Sequence, residues 1–377
     1  MRRRSLGAVA MAIVAAIVIA ACGSSSNSSS SAPAPSGGSS SSSSSGSSGS
    51  SSASGTINGA GSTFAAPIYG QWGSSLKGQG LTVNFNAVGS GAGIAQLQSA
   101  TVDFAGSDPA ELPAEVSQGK GPVLQFPVGF GAVTVSYNLS GVKSGIKLDG
   151  KTLGDIFLGK VKTWSDPAIK SLNPGMSLPS TNITVVHRSD SSGTTKAFTT
   201  FLSANSPAWT AAAGKPDKIV KWPTGTGAKG NSGVAAAIKQ TAGAVGYIEQ
   251  AYALQNGFTY ASLKNSSGKY LPPTLPATSA AAEGIKVPKD LAISTINSPN
   301  PAAYPIVSQT FLITYKDMCK AGIAKGAASG VKKLFTYGLG TGQSVLKQLY
   351  YAPLPPALLS KAKAQLNQFT CNGSPLS

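Results

Sequence analysis

The chain has 377 residues, with 30 Lys+Arg against 13 Asp+Glu for a formal charge of +17, three cysteines and one histidine. A single imidazole excludes metal centres built on several histidines and leaves little for general acid–base chemistry, so neither a metal site, a cofactor nor an enzyme is expected. The lysines are scattered, with no arginine-rich run or nucleic-acid motif, so the charge reads as a field that draws small anions inward rather than as a nucleic-acid surface.

In chain order the first element is an export signal. Arg2, Arg3 and Arg4 form a positive start, and residues 6–19 form an apolar run too short to span a membrane. The run ends Ile19-Ala20-Ala21-Cys22, which resembles the bacterial lipobox, whose cysteine becomes a lipidated N-terminus. Residues 1–22 are therefore expected to be a signal peptide with Cys22 as the lipidation site; plain secretion with an unmodified Cys22 is the alternative. Residues 23–55 are almost wholly Ser, Gly, Ala and Pro, cannot bury a core, and read as a flexible tether. The remaining stretch of about 320 residues is globular in composition and long enough for two lobes.

Strand-like and helix-like runs then alternate, which predicts an α/β architecture with mostly parallel sheet. Residues 81–85, 102–105, 123–126 running into 131–137, 244–248 and 306–315 read as strands. Residues 94–98, 234–240, 331–337 and 356–369 read as helices, and 260–300 as irregular.

Three strand–turn–helix junctions carry the chemistry. A helix start offers unpaired N–H groups and a positive dipole end, both of which attract anions. The first junction is Gly59-Ala60-Gly61-Ser62-Thr63-Phe64, where Thr63 is expected to cap the helix that follows. The second is Val88-Gly89-Ser90-Gly91-Ala92-Gly93, with Ser90 expected as the cap. The strand after that helix ends Gly106-Ser107-Asp108-Pro109, which puts Asp108 at a carboxyl end, where open α/β sheets bind ligands. The third is Arg188-Ser189-Asp190-Ser191-Ser192-Gly193-Thr194, between the run 182–186 and the helix-like run 195–202. Arg188 supplies a fork of donors suited to a tetrahedral oxyanion, and Asp190 is placed to hold that fork. The first two junctions fall in one expected lobe and the third in the other, so a ligand touched by all would lie in the cleft between lobes.

These segments resemble the substrate-binding proteins of bacterial phosphate ABC transporters, over residues 58–366. Supporting stretches are Gly154-Asp155-Ile156-Phe157-Leu158-Gly159-Lys160 with Trp164, Lys221-Trp222-Pro223, and the run from Gly243 to Ala253. The resemblance implies a two-lobed periplasmic-binding-protein fold, type II-like, with residues 56–130 plus 306–377 as lobe I and 131–305 as lobe II. It implies phosphate contacts from Thr63, the Phe64 N–H, Ser90, Arg188, Ser192, Gly193 and Thr194. Asp108 would accept the proton of hydrogen phosphate, and Asp190 would hold Arg188. The implied partners are inorganic phosphate and membrane permease subunits, with a monomer anchored to the extracytoplasmic face of the cell membrane. Gly91, where many relatives have Ser, and His187, where a second Arg is common, depart from the family pattern.

Asp108 is the feature that discriminates among anions. Sulfate carries no proton at neutral pH, so a buried carboxylate facing it meets only lone pairs. Receptors for phosphonate, sulfate or molybdate, and a phosphoesterase using Ser192, remain the alternative readings. Cys319 and Cys371 are even in number and suit a disulfide in an oxidising compartment, with two free thiols as the other possibility.

Overall fold

The computed structural model describes residues 55–118 and 120–376. The signal segment, Cys22 and residues 23–54 of the tether lie outside the described residues; Gly55, assigned to the tether from sequence, opens the first strand. The elements used below are β1 (Gly55–Gly61), α1 (Ala66–Lys77), β2 (Leu81–Asn86), α2 (Ser90–Gln98), β3 (Phe104–Ser107), β4 (Val123–Tyr137) and α3 (Gly150–Phe157). They continue with β5 (Thr184–Arg188), α4 (Gly193–Asn205), β6 (Thr226–Ala228), α5 (Gly230–Gln240) and β7 (Ala244–Glu249). The last are β8 (Val307–Tyr315), α6 (Lys325–Leu339) and α7 (Pro356–Gln365).

The chain folds as a mixed α/β, two-lobed molecule. The main sheet runs in the order β2-β1-β3-β8-β4-β7-β5-β6. β1 is parallel to β2 and β3, and β5 is parallel to β6 and β7. The strand β4 joins the two parallel groups: Val123 to Ala132 pair antiparallel with β8, and Val133 to Tyr137 pair antiparallel with β7. Its side chains are buried almost without interruption, as expected of a strand covered on both faces. The expected runs 123–126 and 131–137 form one strand through Pro127, a residue that cannot donate to a ladder. The observed strand continues because the register against β8 shifts between Thr310 and Phe311, and the irregularity accommodates the missing N–H.

This topology aims the carboxyl ends of β1, β2 and β3 at one region and those of β5, β6 and β7 at the same region. The loops leaving those ends are the three sequence junctions and a fourth, at Gly230. The stretches that carried the family resemblance build the core beneath the second group. Trp164 is fully buried and its Nε1 donates to the Gly243 carbonyl at 2.9 Å. Trp222 lies 5.7 Å from the Tyr247 ring and 5.8 Å from Phe157. Fully burying side chains of this size contributes about 1.5–3 kcal/mol each, which fixes the floor under the β5–α4 junction.

The region read as irregular, 260–300, holds short paired strands at 262–264 and 270–271 and a helix Leu275–Ala280 capped by Thr274. The helix expected over 356–369 is an α-helix only to Gln365, followed by a 3-10 turn over 366–368. Cys319 and Cys371 form a disulfide with an S–S distance of 2.04 Å. It closes a separation of 52 residues, which in the chain-entropy picture is worth about 4 kcal/mol. No helix of the described residues is long and apolar enough to cross a membrane.

Candidate functional site

The chain leaves β1 through Ser62, Thr63 and Phe64. Thr63 does not cap the helix: the helix begins at Ala66 with Pro67 in its first turn, and the cap position belongs to Ala65, which makes no side-chain capping bond. Ser62 Oγ accepts from the Ala65 N–H at 3.0 Å and so holds the turn that leads into it. Thr63 is thereby released to face α5. Its Oγ1 accepts from the Asn231 N–H at 3.2 Å and from Asn231 Nδ2 at 2.9 Å. The carbonyl of Phe64 accepts from Tyr351 Oη at 2.6 Å, and that of Thr63 from Tyr252 Oη at 2.9 Å, so the loop is held on both sides.

Ser90 also differs from its expected role. It is the first residue of α2, and the cap position belongs to Gly89, at φ +98°, which side chains other than glycine rarely adopt. Ser90 Oγ instead accepts from the Asp108 N–H at 3.4 Å. Asp108 is buried, and its Oδ1 accepts from Ser62 Oγ and, at 3.1 Å, from Thr310 Oγ1. Burial pushes its carboxyl up to about 6, against the pull of those two hydroxyls and of the Arg188 and Lys218 charges. At neutral pH the group is therefore mainly a carboxylate, and among the described residues no side chain or amide donates to Oδ2.

Across the cleft, β5 ends at Arg188. The Arg188 guanidinium is buried and forked onto Asp190, Nε to Oδ1 at 2.7 Å and Nη2 to Oδ2 at 2.5 Å. Nη1 reaches Thr194 Oγ1 at 3.3 Å. These three bonds leave the guanidinium's remaining N–H groups for a ligand. Burial alone would raise the Asp190 carboxyl; the bonds and charge of Arg188, with a bond from the Gly230 N–H, hold it below the usual carboxylate range. Ser192 caps α4 through its Oγ, which accepts from the Thr195 N–H at 3.1 Å. The Arg188–Asp190 ion pair is thus a largely buried one.

The two sides are stitched together by groups that sequence reasoning missed. Asn231, fully buried at the start of α5, bridges Thr63 and Thr194: its Nδ2 lies 2.9 Å from one hydroxyl and 3.2 Å from the other. Its Oδ1 accepts from the Glu249 N–H at 2.9 Å, so the amide is oriented as well as placed. The signal was present, since Gly230-Asn231-Ser232-Gly233 is a fourth small-residue helix start. Gly193 lies against Asp108: a Cβ there would fall on the Asp108 carbonyl oxygen and close to Oδ2. Gly193→Ala is therefore expected to hold the two sides apart and weaken anion binding about a hundredfold or more, while melting temperature changes little. Titration calorimetry beside thermal melting checks this, and unchanged affinity would mean that the approach seen here is not needed for binding.

Two departures from the family pattern also have places. The Gly91 N–H donates to the Ser191 carbonyl at 3.1 Å across the cleft, and a side chain at 91 would strike Ser191. His187 stacks on Trp222 at 4.8 Å with its Nδ1 near the Arg188 carbonyl, and burial pushes its imidazole pKa down. It packs beside Trp222 and also lines the cavity beside Arg188. A cavity of about 270 Å³ lined by Arg188, Asp190, Lys218 and Trp222 adjoins the cluster. Among the described residues no group of three His, Cys, Asp or Glu side chains is arranged to hold a metal ion. The cluster thus combines buried hydroxyls, open helix starts, a guanidinium neutralised by Asp190 and a second carboxylate, Asp108, a set suited to gripping a tetrahedral oxyanion that still carries a proton.

Comparison with known proteins bears on the same region. A family model described as a PBP superfamily domain matches residues 46–337. The chain is 39% identical over 313 residues to the phosphate-binding protein PstS of Xylella fastidiosa, covering 82% of this chain and 84% of that protein. It is 39% identical to PstS of Pasteurella multocida over 82% of this chain and 89% of that one, and 36% identical to PstS 3 of Mycobacterium tuberculosis over 76% and 79%. Among solved structures, a high-affinity periplasmic phosphate-binding protein bound with phosphate superposes with a TM-score of 0.68 at 24% identity, covering 85% of this chain and 96% of that one. A phosphate-binding protein from Stenotrophomonas maltophilia gives a TM-score of 0.65 at 20% identity, covering 85% and 99%; these two likenesses bear on the fold.

Proposed function

The chain belongs to the family of bacterial phosphate-binding proteins, and from that premise we propose that it captures inorganic phosphate outside the cytoplasm and delivers it to the permease of an ABC transporter. The observation that carries the reading is that Arg188 and Asp108, a donor and an acceptor, are buried close enough for the Arg188 charge to act on the Asp108 carboxyl. Hydrogen phosphate needs both. Its unprotonated oxygens take the Arg188 N–H groups, the hydroxyls of Thr63, Ser90, Ser192 and Thr194, and the N–H groups of Phe64, Gly193 and Thr194. Its one O–H donates to Asp108 Oδ2. Asp190 and Asn231 keep the donors in place without touching the ligand.

The protein acts by binding and release rather than by turnover. Ser192, the nucleophile that a phosphoesterase would need, is engaged as a cap on α4, and a serine without an adjacent base is a weak nucleophile. The division of the sheet along β4, at Ala132/Val133, supports a lobe I of residues 56–130 plus 306–377 and a lobe II of 131–305, moving about β4 and β8. The lipobox-like run at Cys22 and the Ser/Gly stretch after it support a protein tethered by a lipid to the outer face of the membrane. The Cys319–Cys371 disulfide fits an oxidising compartment.

Isothermal titration of the protein, stripped of carried-over phosphate, tests the reading with sulfate as the control. Tight one-to-one phosphate binding, with sulfate at least about a thousandfold weaker, is the expected result; a difference of about 4 kcal/mol in hydrogen bonding to charged groups gives that ratio. An absence of phosphate binding would leave only the fold in common with the family.

A further inference from the structure

One ion pair crosses the cleft outside the anion cluster. Lys218 Nζ meets Glu111 Oε1, with both side chains largely buried. Glu111 follows Asp108 on the β3 side. Lys218 lies between the helix Pro207–Ala213 and β6, on the Arg188 side. The two residues are 107 positions apart in the chain, and nothing but the meeting of the two sides brings them together.

Each partner is built in from its own side. The Glu111 N–H donates to Gln125 Oε1 at 2.8 Å, and Gln125 Nε2 donates back to the Glu111 carbonyl at 2.6 Å. Gln125 belongs to β4, and its own carbonyl is held by Gln365 Nε2 of α7 at 2.8 Å. Ser107 Oγ donates to the same Glu111 oxygen that meets Lys218. On the other side, the Lys218 carbonyl accepts from the Ser192 N–H at 3.0 Å, so the lysine's backbone is tied to the cap of α4. Its charge is also felt at Asp108, where it helps to hold the carboxyl down against burial.

An acidic side chain close to an anion site is a liability for affinity unless it does something else. Here Glu111 neutralises Lys218 and is fixed from three directions before the lysine arrives. With the lobes apart, both charges are hydrated separately; with the lobes together, they pair in a place that water reaches poorly. Drying the charges is costly, and the bonds from Ser107 and Gln125 that already hold Glu111 reduce that cost, so the pair adds to the closed arrangement without touching the ligand. Resting on the phosphate reading above, we infer that the Glu111–Lys218 pair is an interlobe clasp that slows release of the bound anion and so determines how long the lobes stay shut before delivery.

The sign of one substitution separates this from ordinary electrostatics. Glu111→Gln removes a negative charge near the site, so charge alone predicts tighter phosphate binding. The clasp predicts weaker binding, by about tenfold, carried by faster release with the association rate within about twofold. Lys218→Met is expected to speed release to a similar degree. The double variant is expected to be no faster than the faster single one, because either change opens the same clasp. Lys218→Arg, which keeps the pair, is expected to stay near wild type. The measurement is stopped-flow phosphate association and displacement on the full-length protein in detergent, with thermal melting of each variant as a check on folding. Release rates unchanged in Glu111→Gln, tighter binding in that variant, or single effects that multiply in the double variant would overturn the clasp while leaving phosphate binding intact. Failure of the wild-type protein to bind phosphate would overturn both.

Discussion

Arg188→Ala is expected to lower phosphate affinity by at least about a hundredfold. Two causes add. The fork supplies N–H groups to a charged ligand, and each hydrogen bond to a charged group contributes about 1.5–3 kcal/mol, so losing two removes roughly two decades or more. The substitution also leaves Asp190 without its cation. That carboxylate is held below the usual range by Arg188, and its side chain is only 10% exposed. Stripped of its partner, it becomes a negative charge beside the anion and an uncompensated one in the fold, where breaking such a pair costs about 3–5 kcal/mol. Arg188→Lys keeps the charge but not the fork, and is expected to fall between wild type and alanine. Calorimetric titration of phosphate, together with melting curves, checks the series. Affinity within about threefold of wild type for Arg188→Ala would place the anion elsewhere.

Asp108→Asn is the second large effect, and it falls on selectivity. The amide is close in shape to the carboxylate, and its Oδ1 can still accept from Ser62 and Thr310. What changes is the side facing the ligand, where an acceptor gives way to an NH₂ donor. Sulfate then gains a partner and hydrogen phosphate loses one. The discrimination of about a thousandfold expected from this contact should shrink to about tenfold or less, with sulfate competing measurably against phosphate. Acid reaches the same end without mutation. Because burial lifts the Asp108 carboxyl to about 6, lowering the pH through that value protonates it and turns it from acceptor to donor. Sulfate competition is therefore expected to be weak at pH 7.5 and above, and to rise as pH falls below about 6. Asp108→Asn should show no such rise. Full selectivity retained in the asparagine variant, or at pH 5, would sink the acceptor account.

Much of the site is legible in the chain because its chemistry is local. Arg188 and Asp190 are two residues apart, and Ser192 caps an amide three residues on; such spacings are readable wherever a strand gives way to small residues and then a helix. The same locality misled at two points. A hydroxyl near a helix start looks like a cap, yet Thr63 and Ser90 turn away from that role. Ala65 and Gly89 occupy the cap positions. The turn from β1 enters α1 two residues later than the pattern suggests, and α2 opens from a positive-φ residue that only glycine fills readily. The register irregularity that lets β4 pass Pro127 is invisible locally for a related reason: it sits in β8, about 180 residues later.

The sequence by itself determined the α/β alternation, the three small-residue junctions, the guanidinium with its carboxylate, and the lone acceptor at a strand end, since each is a matter of residue type and short spacing. Only the tertiary structure decided that Asn231 bridges Thr63 and Thr194, that Gly193 must be bare to meet Asp108, and that Glu111 finds Lys218. Those contacts join residues 37 to 168 positions apart. They exist because β4 carries one chain through both halves of the sheet and turns the carboxyl ends of its neighbours toward each other, a consequence of strand order that no local spacing encodes.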